Sequence, residues 1–140
     1  MTAGDRLLAE ARRLVGTPWR HMGRTPEGLD CVGLVLLAAR RAGFPEALCA
    51  EPPPYSRHSA GPRFLAALAE RFPGGRVGRD ALLPGDVLTF SETQFPAHVG
   101  IAAGGGRVLH AYLPRRRVVE EPVSEDLLRG LRACFRPPAP

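Results

Sequence analysis

Lysine is missing from this sequence altogether, so its formal net charge of +5 rests on arginine. Arginine-only basicity fits a GC-rich genome, and the simplest physical reading of it is a solvated basic surface rather than a nucleic-acid site. Long apolar runs are missing too. The longest, Cys31 to Ala39, is less than half of the ~20 residues that cross a bilayer. No membrane span is expected, and Met1 to Arg13 lacks the hydrophobic stretch of a signal peptide. Synthesis in the cytoplasm follows as the expectation, with something else carrying the protein to any site of action outside the cell. Cysteine is scarce: Cys31, Cys49 and Cys134 are odd in number and form no CxxC pair, which argues against a disulfide framework and a zinc ribbon. Internal repeats are absent as well, and a length of 140 residues suits one domain, 1–140, with its own core.

What is present changes period along the chain. Leu7, Leu8, Ala11, Leu14 and Val15 sit at helical spacing over Asp5 to Val15, and Gly16 and Pro18 end that segment. Thr17 to Leu29 has loop chemistry. Asp30 then precedes an apolar run from Cys31 to Ala42 that Gly43 and Pro45 close, which predicts a buried helix with Asp30 as its N-cap. A third helix is expected from about Pro62 to Phe72. Beyond it come short β-type runs at Asp86 to Phe90, His98 to Ala103, Val108 to Tyr112, Arg117 to Glu120 and Ala133 to Arg136, with a short helix around Ser124 to Leu131. Helices first and antiparallel strands second make the fold class α+β, one helix packing across a sheet.

Cys31 is placed as the first residue of the buried helix, where unpaired N–H groups and the helix dipole favour a thiolate. Asp30 holds that helix start, although its charge opposes the thiolate. Gly33 is a poor helix former, and close approach of the strand carrying a base would explain it. The plainer alternative is that Cys31 is a small core residue, as Cys49 and Cys134 are expected to be. The hairpin His98 to Tyr112 has Gly104-Gly105-Gly106 as its turn. If Ala103 pairs with Arg107, His110 faces Gly100 and His98 faces Tyr112, and the two histidines lie diagonally with Cβ atoms roughly 5.5–8 Å apart. His110 could then fix the tautomer of His98; otherwise both are half-buried residues on a sheet surface. His21 and His58 lie in loop-like sequence and read as structural or exposed. A Cys-His-His zinc site is disfavoured, because neither an open coordination position nor the groups that would orient its ligands can be identified in the sequence.

Gly16-Thr17-Pro18-Trp19-Arg20-His21, Asp30-Cys31-Val32-Gly33-Leu34-Val35, Leu83-Pro84-Gly85-Asp86-Val87, His98-Val99-Gly100-Ile101 and Leu109-His110-Ala111-Tyr112 together resemble the NlpC/P60 cysteine peptidases, in the family's order. The resemblance implies a papain-like core, with N-terminal helices and the nucleophile helix packed on an antiparallel sheet. It also implies Cys31 as nucleophile, His98 as base, His110 as the orienting third residue, and no cofactor. The expected reaction is hydrolysis of peptidoglycan stem-peptide amides, commonly between D-γ-glutamate and diaminopimelate. Trp19 and Asp30 are candidates for oxyanion or substrate contacts. Two departures stand out: Val32 replaces a frequent serine, and Trp19 a frequent tyrosine, so that oxyanion stabilisation rests more on the backbone N–H of Cys31. The details are most similar to the phage-tail and gene-transfer-agent branch, which implies partners at a tail tip or baseplate hub and action at the cell wall from a particle. Two competing expectations are a catalytically silent structural tail-tip protein and a thiol amidase or acyltransferase on the same fold. Arg115-Arg116-Arg117 could meet wall polymer, as could docking segments at Glu51 to Tyr55 and Arg136 to Pro140 meet a partner.

Overall fold

Thr2 starts the first helix, α1 (Ala3–Arg12), through a reciprocal cap in which its hydroxyl accepts from the Asp5 N–H at 3.0 Å and the Asp5 carboxylate accepts from the Thr2 N–H at 2.9 Å. The computed structural model describes residues 1–55, 71, 75–91 and 97–138. Leu7, Leu8 and Ala11 form the buried stripe of α1, and the helix ends a turn earlier than the periodicity predicts, at the Arg13 cap. The stretch read as loop contains a small antiparallel hairpin, β1 (Arg24–Thr25) and β2 (Gly28–Leu29), which delivers the chain to Asp30. The second helix, α2 (Cys31–Arg41), follows as expected, with Asp30 capping it through the Gly33 N–H at 2.8 Å. A short helix, α3 (Glu46–Cys49), comes next. The helix expected at 62–72 and the position of His58 lie outside the described residues, apart from Arg71.

Among the described residues, six strands make the main sheet: β3 (Arg76–Val77), β4 (Val87–Phe90), β5 (His98–Gly104), β6 (Arg107–Tyr112), β7 (Arg117–Pro122) and β8 (Leu131–Phe135), in the order β3-β8-β4-β5-β6-β7. Every pairing in it is antiparallel. The helix α4 (Glu125–Arg129), capped by Ser124, bridges β7 and β8. Side-chain alternation splits the sheet into two buried faces. Val87, Val99, Ile101, Leu109 and Ala111 join the helix residues Leu7, Leu34 and Leu36 in the larger core, while Leu88, Phe90, Ala102 and Val108 pack with Leu127 of α4. Each fully buried aliphatic side chain of this kind contributes about 1.5–3 kcal/mol, and α2 supplies Val32, Leu34 and Leu36 to the site-bearing layer.

The hairpin register departs from expectation only at its tip. Ile101 pairs with Leu109 and Ala102 with Val108, but Gly104, rather than Ala103, pairs with Arg107. A bulge between Ala102 and Gly104 absorbs the difference, and three consecutive positive-φ glycines, Gly104, Gly105 and Gly106, make that turn sterically accessible. Away from the turn the pairing is the expected one. A Cβ added to Gly100 would come 3.3 Å from His110 Cβ and 2.8 Å from Val108 Cγ2, so the glycine makes room for the second imidazole.

Candidate active site

Cys31, His98 and His110 come from three elements whose placement is local and separate: the capped start of α2, the first residue of β5 and the middle of β6. The histidines meet directly. His98 Nε2 and His110 Nδ1 are 2.8 Å apart, both residues are buried, and Tyr112 stacks on His110 with 4.5 Å between ring centroids and 11° between planes. Phe90 covers His98 at 5.8 Å. Cys31 is half-buried, and its sulfur lies against the backbone N–H groups of Val99, the residue after His98, and of Val32. The nucleophile candidate is thus brought to the strand that carries the base candidate.

Protonation states follow from this burial. The Cys31 thiol is pushed up to about 12, first by burial and then by the neighbouring Asp30 charge, with the Val99 and Val32 N–H groups and Arg24 pulling the other way. This corrects the expected thiolate: at the helix start of this chain, desolvation and Asp30 outweigh the favourable backbone groups. Burial likewise holds His98 well below the ordinary imidazole range, with His110 adding to the effect. Burial also lowers His110, against the opposing pull of Glu121. The resting site is a neutral thiol beside two neutral imidazoles.

Asp30 is more heavily committed than a helix cap requires. Beyond Gly33, its carboxylate accepts from the Met22 N–H at 2.9 Å, from Arg24 at 2.9 Å, and from the Tyr55 hydroxyl. Arg24 also pairs with Glu51 at 2.8 Å and donates to Tyr55 at 2.8 Å. Burial opposes the Arg24 charge, but the hydrogen bonds to Glu51 and Tyr55 and the Asp30 charge leave its pKa raised. A carboxylate with these four donors is a structural hub, so its role here is to hold the Cys31 helix start against the hairpin and the 51–55 connector. Glu51 and Tyr55 are therefore used internally, and Arg136 is paired with Asp86 at 3.1 Å.

Gly33 does mark a close approach, though to a different element from the one expected. A Cβ there would lie 1.9 Å from the Gly23 carbonyl oxygen, so at Gly33 itself it is the segment leading into β1, and not the histidine strand, that comes against α2. Trp19 is half-buried, its backbone N–H bonded to the Arg116 carbonyl at 2.9 Å, and its ring stacks toward His21 at 6.5 Å. His21 in turn meets the edge of Tyr55 at 5.8 Å. Val32, where a serine is frequent, is fully buried in the core. Sequence reasoning missed Arg24, Tyr55 and Glu121. Glu121 lies 3.3 Å from His110 Nε2, and it could have been found only from the β6–β7 register, which pairs His110 with Val119 and sets Glu121 on the diagonal.

Comparison with known proteins points in one direction. The NlpC/P60 family model matches residues 16–131. A probable endopeptidase of Mycobacterium tuberculosis is 36% identical over 111 residues, which are 77% of this chain and 24% of that protein. The chain thus spans about a quarter of the curated relative it matches. An NlpC/P60 family protein from Bacillus cereus superposes with a TM-score of 0.71 at 21% identity, over 97% of this chain and 41% of that one. The peptidoglycan hydrolase RipB from Mycobacterium tuberculosis gives 0.66 at 21% identity, over 96% and 64%.

Proposed function

Because the chain belongs to the NlpC/P60 family, we propose that it is a cysteine peptidase that hydrolyses stem-peptide amide bonds of peptidoglycan, with Cys31 as nucleophile, His98 as base and His110 as orienting residue. The observation that carries the reading is the buried His98–His110 pair set beside a helix-start cysteine. Since Nε2 of His98 is engaged by His110, Nδ1 is the nitrogen left to act as base.

In the reaction, the Cys31 S–H proton passes to His98 as sulfur bonds to the amide carbonyl carbon. The oxyanion is received by the Cys31 backbone N–H. The C–N bond then breaks, His98 returns the proton to the leaving amine, and a thioester remains. Water, deprotonated by His98, attacks it; the acid is released and the thiol re-forms. Neutral partners at rest mean that proton transfer accompanies attack, and two uncharged groups tolerate a desolvated site better than an ion pair would. The bond we assign is that between D-γ-glutamate and diaminopimelate, and the setting a phage-like tail tip that opens the wall locally, in contact with hub proteins. The domain acting in this way is residues 1–140.

A second reading, a silent structural component of the same particle, draws on the raised Cys31 pKa and on Val32 and Trp19. One experiment separates them. The purified protein and its Cys31→Ala variant are incubated with diaminopimelate-type peptidoglycan, and the released muropeptides are identified by mass spectrometry. Cleavage by the wild type alone is expected, with product masses naming the bond; equal absence of products from both would overturn the peptidase.

A further inference from the structure

From the hydrogen-bonded chain that runs from the buried His98 and His110 through Glu121 to Arg115 at the surface, we infer that Glu121 is a positioning residue that sets the tautomers of both histidines and thereby leaves the base nitrogen of His98 bare. The inference deepens the peptidase reading and rests on it for its meaning, but not for its test.

Arg115 donates to Glu121 Oε1 from Nη2 at 3.0 Å and from Nε at 3.2 Å. Burial works against the Glu121 charge, but the hydrogen bonds from Arg115 and His110 outweigh it, and the carboxylate stays ionised. An ionised carboxylate only accepts. His110 Nε2, 3.3 Å from Glu121 Oε2, must therefore carry the proton. A neutral His110 then has a lone pair on Nδ1, so His98 Nε2, at 2.8 Å, is the donor of that bond. With its single proton on Nε2, His98 presents an unprotonated Nδ1. Among the described residues, the charged and titratable groups facing His110 are His98 from β5, Tyr112 on its own strand, Glu121 from β7 and Arg115 from the turn before it. Among these, Glu121 alone is an obligate acceptor.

This donor–acceptor pattern makes the expected order of variants unusual. In Glu121→Gln the side chain keeps its size, but Arg115 has only donors to offer, so the amide oxygen turns to Arg115 and the NH₂ group turns to His110. His110 Nε2 must then accept, and the proton order reverses along the chain until His98 Nδ1 is protonated and blocked. Glu121→Ala merely opens His110 to water, which can donate or accept.

The test uses the full chain labelled with ¹⁵N-histidine. Two-bond ¹⁵N–¹H spectra read the tautomers, and hydrolysis of stem peptide gives kcat and KM. Wild type is expected to carry Nε2–H on both residues. The Gln variant should carry Nδ1–H on both, with kcat lower by on the order of 100-fold or more and KM little changed. The Ala variant should lie between the two. Glu121→Gln combined with Arg115→Ala should regain both tautomers and rate, because the amide is then free to turn. Arg115 is largely exposed, so its removal leaves the core intact. A Gln variant with wild-type tautomers, or one more active than the Ala variant, overturns the inference, since a merely structural Glu121 would tolerate its isostere best. The spectra need no turnover, so loss of the peptidase reading through an active Cys31→Ala protein would leave the tautomer result standing.

Discussion

At Cys31 two effects compete for one proton, and magnitudes decide between them. A helix start and two N–H groups favour the thiolate, while burial and the adjacent Asp30 carboxylate hold the thiol up at about 12. Alkylation by a neutral reagent such as iodoacetamide, followed by peptide mapping to separate Cys31 from Cys49 and Cys134, reads the balance. The rate at Cys31 should keep rising with pH beyond 9 and show no plateau at neutrality. A plateau below pH 7 would mean a preformed thiolate–imidazolium pair. The acid limb of kcat/KM should likewise fall below 6.5, the ordinary imidazole value, because His98 is held neutral by burial. At this scale the sequence was readable where chemistry sits in a short motif: Asp30-Cys31 announces a capped helix start, and His98 and His110 fall on one side of a hairpin whose tip alone was misjudged. Arg24, Tyr55 and Glu121 were not readable, because each reaches the site through pairing or packing between segments distant in sequence.

Elements explain why the nucleophile is held so firmly. The helix α2 is apolar on nearly every side and therefore has to be enclosed; α1 and β5 cover it, and the segment around Gly23 crosses its first turn. Stretch 17–29 looked like loop because its glycines and prolines have turn chemistry, yet Arg24 and Leu29 pair across a two-residue link. Such two-residue strands carry too little periodicity to be seen in a sequence. Alanine at Gly33 tests the crossing. Helix propensity alone would favour Gly33→Ala by about 1 kcal/mol. The added Cβ would, however, sit 1.9 Å from the Gly23 carbonyl, which is backbone and cannot swing aside. The expected net effect is a destabilisation on the order of 1–3 kcal/mol, typical of overpacking, in urea unfolding. A larger loss of activity should accompany it, since displacing this segment disturbs the Met22 and Arg24 contacts that orient Asp30. Gly78→Ala, where nothing lies within 4 Å of the added carbon, serves as the control and should be near neutral.

For the whole molecule, the neutral site predicts how stability depends on pH. His98 and His110 have folded pKa values below the ordinary 6.5, so below about that pH the unfolded chain binds more protons and stability rises with pH. Acidification from 6.5 should therefore remove up to about 1.4 kcal/mol per pH unit for each of the two residues. Glu120 and Glu121 act in a separate window. The Arg12 hydrogen bond lowers Glu120, and Arg115 and His110 together outweigh burial at Glu121, so their contribution is present above the ordinary 4.5 and is lost as pH falls below it. On the alkaline side Cys31 acts in the opposite sense: the unfolded thiol ionises near 9.0 and the folded one at about 12, so stability declines as pH rises through that interval. The urea midpoint should accordingly be flat from pH 7 to 8, fall first below 6.5 and again below 4.5, and decline above 9. Replacing His110 by glutamine should weaken the first acid step, and Cys31→Ala should shrink the alkaline one without abolishing it, because burial also raises Tyr55, Cys49 and Cys134. A midpoint that is constant from pH 7 to pH 5 would show that the histidines are not held neutral, and the proton-transfer order drawn for the reaction would have to be reversed.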